Sequence, residues 1–443
     1  MYLKVYLSLA LFVAMPSWSQ VSISDPAAVP GTGGKMLTPP PVSGQAYPTE
    51  VGSEVRSNYL RAGFTFTPSY SNDVVGEANV PPVSDFGYSF FPTLTVDKTT
   101  SREHLTLTYS PSFTIYQRTS SENQTNQNLS LSFQYRLSPH VTVSLRDNLQ
   151  KISNVFNQPG LLSGGAVSGL PQPPLNAVIG PVADQLGNTA DAEMTYQFSR
   201  NGMIGASGRF TNLDFLNPSQ VPGLYDSHSS GGSAFYSHRL LRNSYIGGVY
   251  QYSKITAYPP KVISEVQTHT VFLFYTIYFT RSFSLSLSVG PQHFDAAQSP
   301  MPVYGSWSPT LSASTGWQGR HTSFAASYLR SVSGGGGLVG VFQSNTAAAF
   351  ARWKLARAWS TTAAANYSIN KDETPSSFIS SGGGHGVGGS VSAQHQLSDR
   401  FRVEFGYSLL HQSYNGIPVI SNSPNINREY VSFSYSFARA LGE

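Results

Sequence analysis

The sequence contains no cysteine in 443 residues. Disulfide frameworks, thiolate metal sites and lipoprotein anchors all require cysteine and are therefore excluded. Charged residues are also scarce, at 11% of the chain, against roughly 25% in typical soluble domains. After the N-terminus no run approaches about 18 consecutive apolar residues, so no transmembrane helix is expected. If the mature chain lies in a membrane, it must do so as a closed β-barrel.

The residues that are abundant favour strands. Aromatic side chains make up 13% of the chain, with 25 Tyr and 26 Phe, and there are 40 glycines. A chain that combines low charge with many Ser, Thr, Gly, Tyr and Phe residues is typical of β-structure. The composition therefore predicts an all-β protein.

The N-terminus predicts export. Lys4 precedes the apolar run Val5–Ala14, and Ser17 and Ser19 place small residues at a cleavage site before Gln20. These are the three parts of a secretory signal peptide, and the run is too short to span a bilayer. We predict a signal peptide over residues 1–19. Residues 20–57 are rich in Pro and Gly and are expected to form a periplasmic lead or a small plug.

Strict alternation of polar and apolar residues marks the strands. In the stretch "RSFSLSLSVG" (residues 281–290), Phe283, Leu285, Leu287 and Val289 fall on one face and four serines on the other. The same pattern recurs around residues 105–109, 129–135, 141–145, 401–407 and 431–437. The polar faces carry mainly Ser, Thr, Gln and Gly rather than the Lys and Glu of a solvated surface, which fits a lumen.

Eight short turn segments punctuate these runs at intervals of about forty residues, as two strands, a turn and a loop require. They are Val96–Arg102, Tyr135–His140, Tyr196–Asn201, His238–Asn243, Tyr278–Ser282, Trp317–His321, Trp353–Ala358 and His395–Arg400. Longer segments rich in Gly, Pro, Asn and Ser alternate with them. We therefore predict that residues 58–443 form an antiparallel up-and-down barrel that spans the membrane. It has about 18 strands, with 16 as the alternative, short periplasmic turns and long extracellular loops.

Strand parity selects residues for the lumen. The outward set Phe401, Val403, Phe405 and Tyr407 turns Arg402 and Glu404 inward. The same rule predicts that Arg146, Glu193 and Arg209 line the pore. Each could serve ion selectivity or form a structural cross-strand ion pair. More Arg than Glu among Ser and Thr predicts passage of neutral or weakly anionic solutes.

Arginines and aromatic residues gather at the short turns. An aromatic girdle with guanidinium groups that reach lipid phosphates is typical of a membrane interface. We assign the periplasmic interface to Arg136, Arg200, Arg281, Arg320, Trp317, Trp353 and Arg400. The alternative is that arginine is simply tolerated at exposed turns.

From Tyr59 to its C-terminus the chain resembles bacterial outer-membrane β-barrels of the porin type. Its last strand alternates aromatic residues, Phe433, Tyr435 and Phe437, like the signal that the barrel-assembly machinery reads, although Ala438–Glu443 follow. The resemblance implies a location in the cell outer membrane, contact with outer-membrane lipid and, as one option, a homotrimer. It also implies that the long third loop (residues 154–188) folds inward as a constriction, with Asp184 as its only charged residue. A mobile surface loop is the alternative.

Signals for other chemistry are weak. Asp226, His228 and the serines beside them are neighbours in sequence, which is no evidence for a spatial triad. The ten histidines are dispersed without metal-ligand spacing, and no phosphate-binding loop is present. We therefore expect no catalytic residue, metal, cofactor or nucleic-acid partner. The predicted function is a passive channel for small hydrophilic solutes. The alternatives are a barrel for exopolysaccharide export and a closed structural or enzymatic barrel.

Overall fold

The computed structural model of the protein describes residues 58–75, 81–154, 182–280, 283–319, 321–334, 337–415, 417 and 425–440. The predicted signal peptide and the lead of residues 20–57 lie outside the described residues. Within these ranges the chain forms strands almost throughout, with two short 3-10 helices at Ser120–Glu122 and Pro218–Gln220. No helix in this part of the chain is long and apolar enough to cross a membrane.

The strands follow one another around a single antiparallel sheet. They are β1 (Asn58–Ser71), β2 (Asp85–Thr99), β3 (Glu103–Tyr109), β4 (Ser112–Tyr116), β5 (Gln124–Arg136), β6 (Val141–Asn154), β7 (Val182–Tyr196), β8 (Gly202–Phe215), β9 (Ser227–Leu241), β10 (Ser244–Ala257), β11 (Ser264–Thr280), β12 (Phe283–Gln298), β13 (Tyr304–Gln318), β14 (Thr322–Ser333), β15 (Phe342–Lys354), β16 (Trp359–Asp372), β17 (Gly384–Gln396), β18 (Phe401–Tyr414) and β19 (Asn425–Ala440). β1 also pairs with β19, so the sheet closes into a barrel.

β3 and β4 are two halves of one spanning strand. Both pair with β2 and with β5, and the register is the same on either side of the break. Pro111 lies at the break, and a proline cannot donate to the ladder. Counted this way the barrel has 18 spanning strands, as the sequence predicts.

The connections are sorted by length between the two ends of the barrel. Each predicted turn segment falls at the junction of two paired strands, and the longer loops join the strands at the other end. The glycines at 231, 232, 384 and 386 do not lie in these loops but within β9 and β17. Both described termini, Asn58 and Ala440, lie at the short-turn end.

One cluster of buried side chains identifies the lumen face. Ala183 of β7, Phe215 of β8, Phe342 of β15 and Tyr414 of β18 pack together. β7 and β8 are neighbours, but β15 and β18 lie far from them around the barrel, so these side chains can meet only inside it. Register then assigns the alternate residues of every strand to the outer face.

The outer face is a band of large apolar and aromatic side chains. On β12, Leu287 and Val289 are 44% and 59% exposed there, whereas Ser284, Ser286 and Ser288 face inward and are buried. The alternating stretch therefore has the orientation that parity predicts. Apolar residues outside and hydroxyls inside are the arrangement of a membrane-spanning barrel.

We expect Leu287→Arg to destabilise the folded barrel by about 2–4 kcal/mol if the residue lies near the bilayer midplane, because the guanidinium would face hydrocarbon. The measurement is the free energy of unfolding in vesicles from urea titration. Ser327→Arg is the matched control, since Ser327 is exposed on the lumen face. Equal losses for both variants would contradict this assignment of the two faces.

Candidate functional site: the lumen and its inward-folded loops

The structure places all five predicted pore residues on the lumen face. Arg402 and Glu404 of β18 lie opposite Ser434 and Ser432 of β19. Arg146 of β6, Glu193 of β7 and Arg209 of β8 belong to the same inward set on the other wall. Their effect on ion selectivity stays a prediction.

A charged row crosses three strands of that second wall. Asp191 of β7 lies directly opposite Arg146 on one side and Arg209 on the other. The distance from Arg209 Nε to Asp191 Oδ1 is 3.8 Å, and the Arg209 side chain is 47% exposed. Asp191 was missed in the sequence analysis, although the parity that turns Glu193 inward also turns Asp191 inward.

The facing wall, built from β17 to β2, is more tightly bonded. Tyr430 donates its hydroxyl to Glu404 Oε1 at 3.1 Å. Arg428 is buried and donates from Nη2 to Ser69 Oγ at 2.8 Å. With the Gln394 amide oriented to suit its neighbours, its oxygen accepts bonds from Arg402 Nη1 and Nε at 3.2 and 3.1 Å. Arg428 and Tyr430 were not singled out from sequence.

The lumen face carries more cations than carboxylates. Away from the loop end its strand arginines include Arg61, Arg136, Arg146, Arg209, Arg352 and Arg402, and its strand carboxylates are Asp97, Asp191, Glu193 and Glu404. Arg61 is matched locally by Asp97, with Nη2 3.3 Å from Oδ2. The remaining excess of positive charge lies along the interior, where it attracts anions.

Several aromatic rings on the lumen face lie flat over a glycine directly opposite in register. The pairs are Phe235 with Gly205, Phe274 with Gly247, Tyr414 with Gly384 and Tyr430 with Gly406. A Cβ added to any of these glycines would meet the ring. The glycines therefore let large rings lie against the wall, which leaves space in the lumen.

We expect Gly406→Val to destabilise the barrel by about 1–3 kcal/mol, as overpacking does. The new side chain would displace the Tyr430 ring and weaken its bond to Glu404. Urea titration in vesicles measures the loss. Gly389→Val is the control, because a Cβ at Gly389 meets only the Ala364 carbonyl oxygen at 3.8 Å. A tolerated Gly406→Val with a damaging Gly389→Val would refute the packing argument.

Loops at the end opposite the short turns fold into the mouth of the barrel. Val221 and Leu224 of one loop, Leu338 of a second and Ile417 of a third pack against the wall cluster that contains Phe342. Leu338, Val221 and Ile417 have no exposed surface. The loops therefore form an apolar constriction at the mouth.

The glycine-rich connection between β14 and β15 lies at the centre of this arrangement. The Tyr225 N–H donates to the Gly337 carbonyl at 2.9 Å, and the Ser381 N–H donates to the Val339 carbonyl at 2.9 Å. Gly337 and Gly340 have φ angles of 93° and 122°, which L-residues with side chains rarely adopt. The glycines of this segment therefore permit the path that turns Leu338, Val339 and Val341 inward.

The predicted constriction loop requires a correction. β6 extends to Asn154 and β7 begins at Val182, so the connection is shorter than residues 154–188. Asp184 is a residue of β7 and not of a loop. Its Oδ2 accepts a bond from Asn217 Nδ2 at 2.9 Å, and its carbonyl accepts from the Leu216 N–H. Residues 155–181 lie outside the described residues, so the inward folding predicted for them stays a prediction.

The residues predicted for the periplasmic interface lie at the short-turn end, with one correction. Trp317 and Trp353 face outward and are 43% and 59% exposed, and Arg200 and Arg400 are exposed in turns. Arg136 faces the lumen, because it pairs with Thr142 on the inward set. The sequence placed Arg136 correctly beside a turn. However, β5 continues as far as Arg136, so this side chain still follows the alternation of the strand and points inward. Arg281 and Arg320 lie outside the described residues.

The aromatic residues of the last strand face outward. Phe433, Tyr435 and Phe437 lie opposite Phe66, Phe64 and Ala62 of β1 at the seam that closes the barrel. Phe437 is 46% exposed. Their recognition by an assembly machinery stays a prediction.

The residue types of a serine hydrolase do not assemble. Asp226 accepts a bond from the Phe215 N–H at 2.8 Å, and His228 Nδ1 lies 2.8 Å from the Tyr258 hydroxyl. Ser227 and His228 occupy opposite faces of β9. In the part of the chain that the structure describes, no group of three or more His, Asp or Glu side chains is arranged to hold a metal ion.

No protein-family model and no curated protein matches the sequence. Solved structures similar to this chain include three outer-membrane proteins. OpdK from Pseudomonas aeruginosa is 9% identical over 86% of this chain and 99% of its own, with a TM-score of 0.40. P. aeruginosa OccK2 in complex with glucuronate is 10% identical over 86% and 98%, with a TM-score of 0.41. Acinetobacter baumannii OccAB4 is 9% identical over 87% and 99%, with a TM-score of 0.40.

Proposed function

We propose that the protein is an outer-membrane channel for the passive passage of small hydrophilic solutes, with a preference for anionic ones. The observation that carries this proposal is the charged row of Arg146, Asp191 and Arg209 on a lumen face rich in hydroxyls. Two arginines flank one carboxylate there, so the row keeps a net positive charge. A partly exposed guanidinium such as that of Arg209 can bind a carboxylate or phosphate with two parallel hydrogen bonds.

The loops support a channel for small molecules rather than for a polymer. The apolar constriction at the mouth leaves Leu338, Val221 and Ile417 fully buried. A polysaccharide in transit would have to hold these loops apart for as long as its chain passed through the mouth.

The test is electrical recording from the purified protein in planar bilayers, with a salt gradient to give the reversal potential. We expect stepwise ohmic conductance and a reversal potential on the anion-selective side. Liposome swelling with small sugars and sugar acids then measures neutral and anionic solutes. Absence of conductance steps and of swelling would overturn the channel, and cation selectivity would overturn the preference for anions.

A further inference from the structure

The backbone ladder between β13 and β14 stops early. β13 pairs with β14 only from Leu311 opposite Arg330 to Gln318 opposite Ser323. On its other side β13 remains paired with β12 as far as Tyr304. The part of β13 between Tyr304 and Thr310 therefore lacks a ladder to β14.

Proline explains where the ladder stops. Pro309 lies opposite Pro291 of β12, and the β11–β12 ladder is interrupted beside Pro291. Continuation of the β13–β14 register would place Pro309 opposite Val332. Because proline has no N–H, it cannot donate to β14 at that point.

Side chains replace the missing ladder. Val332 exchanges two bonds with the Gln292 side chain: its carbonyl accepts from Nε2 at 2.9 Å, and its N–H donates to Oε1 at 2.7 Å. Gln292 belongs to β12 and faces the lumen, so the end of β14 bends inward past β13. Thr310 donates its hydroxyl to the Arg330 carbonyl at 2.7 Å, and Gln343 donates from Nε2 to Ser308 Oγ at 3.1 Å.

The seam between β13 and β14 lies within reach of lipid. The eight paired residues from Gln318 to Leu311 rise roughly 20 Å from the short turn for a strand tilted by about 40°, whereas the apolar band of such barrels is about 25 Å tall. The seam therefore begins in the part of the wall that faces the outer leaflet. Trp307 lies beside it on the outer face and is 69% exposed, as aromatic residues at an interface are.

The inner side of the seam is apolar, and one cation lies beside it on the outer set of β14, where Arg330 is opposite Leu311. Val332 packs with Val266, Phe294, Ala296 and Val341 in a buried cluster on the lumen side. Arg330 lies at the seam and donates from Nη2 to Gln343 Oε1 at 3.1 Å. Its Nε atom is buried and has no hydrogen-bond partner among the described residues. Apolar surface beside an available guanidinium N–H fits a molecule with an acyl or aromatic tail and a carboxylate head.

We propose that the β13–β14 seam is a lateral portal through which amphipathic carboxylates pass between the lumen and the outer leaflet. The proposal rests on the membrane placement of the proposed function and adds a second route to it. An open sheet edge in hydrocarbon is unfavourable, so the seam is closed by side chains at rest. Opening the seam breaks a few side-chain hydrogen bonds rather than a continuous backbone ladder. The apolar tail of the carboxylate can then contact the buried cluster around Val332.

The test uses the absence of native cysteine. Ser308→Cys with Gln343→Cys places two thiols across the seam, where the native side chains are bonded. A short bis(methanethiosulfonate) reagent, which joins the two thiols through two disulfides and releases two sulfinates, locks it. Ser314→Cys with Ser327→Cys is the matched control, because these residues face each other below the seam on β13 and β14, the two strands that border it. Uptake of labelled dodecanoate is measured in Gram-negative cells that lack their own fatty-acid channel. Conductance and glucuronate uptake are measured with the same variants.

We expect the locked seam to reduce dodecanoate uptake several-fold and to leave glucuronate uptake and conductance unchanged, whereas the control pair changes neither. Reversal of the lock with reductant should restore dodecanoate uptake. Arg330→Gln, which needs no cross-link, should also lower it. Unchanged dodecanoate uptake with the seam locked would overturn the portal. If the unmodified protein shows neither conductance nor glucuronate uptake, the proposed channel itself is overturned instead.

Discussion

Leu338→Asp should raise single-channel conductance several-fold without unfolding the barrel. Leu338 has no exposed surface and packs with Val221 and Ile417 of two other loops and with wall residues such as Phe342. Removing a buried leucine costs about 2–5 kcal/mol, and an unpaired carboxylate in its place adds several kcal/mol more. The loop can avoid this by leaving the mouth, which breaks the bonds of Gly337 and Val339 to Tyr225 and Ser381 but no strand ladder. Conductance then rises, since the narrow apolar constriction has opened.

The barrel itself should remain folded, because its strand ladders do not depend on the position of the loop. Resistance of the barrel to denaturation by detergent at room temperature, read from electrophoretic mobility with and without heating, checks this point. Ile263→Asp is the matched control: Ile263 lies in another loop at the same end, is 56% exposed and is not part of the buried cluster. Wild-type conductance in Leu338→Asp would show that the inward loops do not limit the pore.

The fold could be predicted from the sequence because a membrane barrel repeats one local rule. Each strand must place apolar side chains outward at every second residue, and each hairpin needs a turn, so both signals are readable within ten residues. The β12 serines illustrate this: Leu287 alone fixes the face on which Ser286 and Ser288 lie. The interruption at Pro111 did not disturb the count, since the same alternation continues through β3 and β4.

The lumen residues could be predicted only where the alternation of inward and outward side chains identifies them. Arg402 and Glu404 lie between clear outward aromatics, whereas Asp191 lies between two alanines that mark either face weakly. The inward position of Leu338 has no local signal at all. It depends on contacts with Val221, 117 residues before it, and Ile417, 79 residues after it, and the glycines that permit it occur equally in solvated loops. Arg428 and Tyr430 belong to a strand that the aromatic pattern identified, but their bonds to Ser69 and Glu404 depend on closure of the barrel.

The double variant Arg146→Glu with Arg209→Glu should convert the channel from anion-selective to cation-selective. Each substitution changes the local charge by two, and the row would then be Glu, Asp and Glu across β6, β7 and β8. A unit charge about 4 Å from a passing ion changes its energy by about 1 kcal/mol at the dielectric constant of water. That energy is about a fivefold change in occupancy for each unit of charge. The reversal potential in a salt gradient should therefore change sign.

Two further variants distinguish an effect of charge on selectivity from structural damage to the barrel. Arg146→Gln with Arg209→Gln removes the positive charge without placing three carboxylates together, and it should give an intermediate reversal potential. Arg439→Glu makes the same chemical change on the outer face near the short-turn end, where Arg439 pairs with Leu60, and should leave selectivity unchanged. If the double Glu variant folds, conducts and remains anion-selective, the row does not set selectivity. The excess of arginines elsewhere in the lumen, beginning with Arg352 and Arg402, would then be the source of the anion preference, because those cations would be the remaining charges that a passing anion meets.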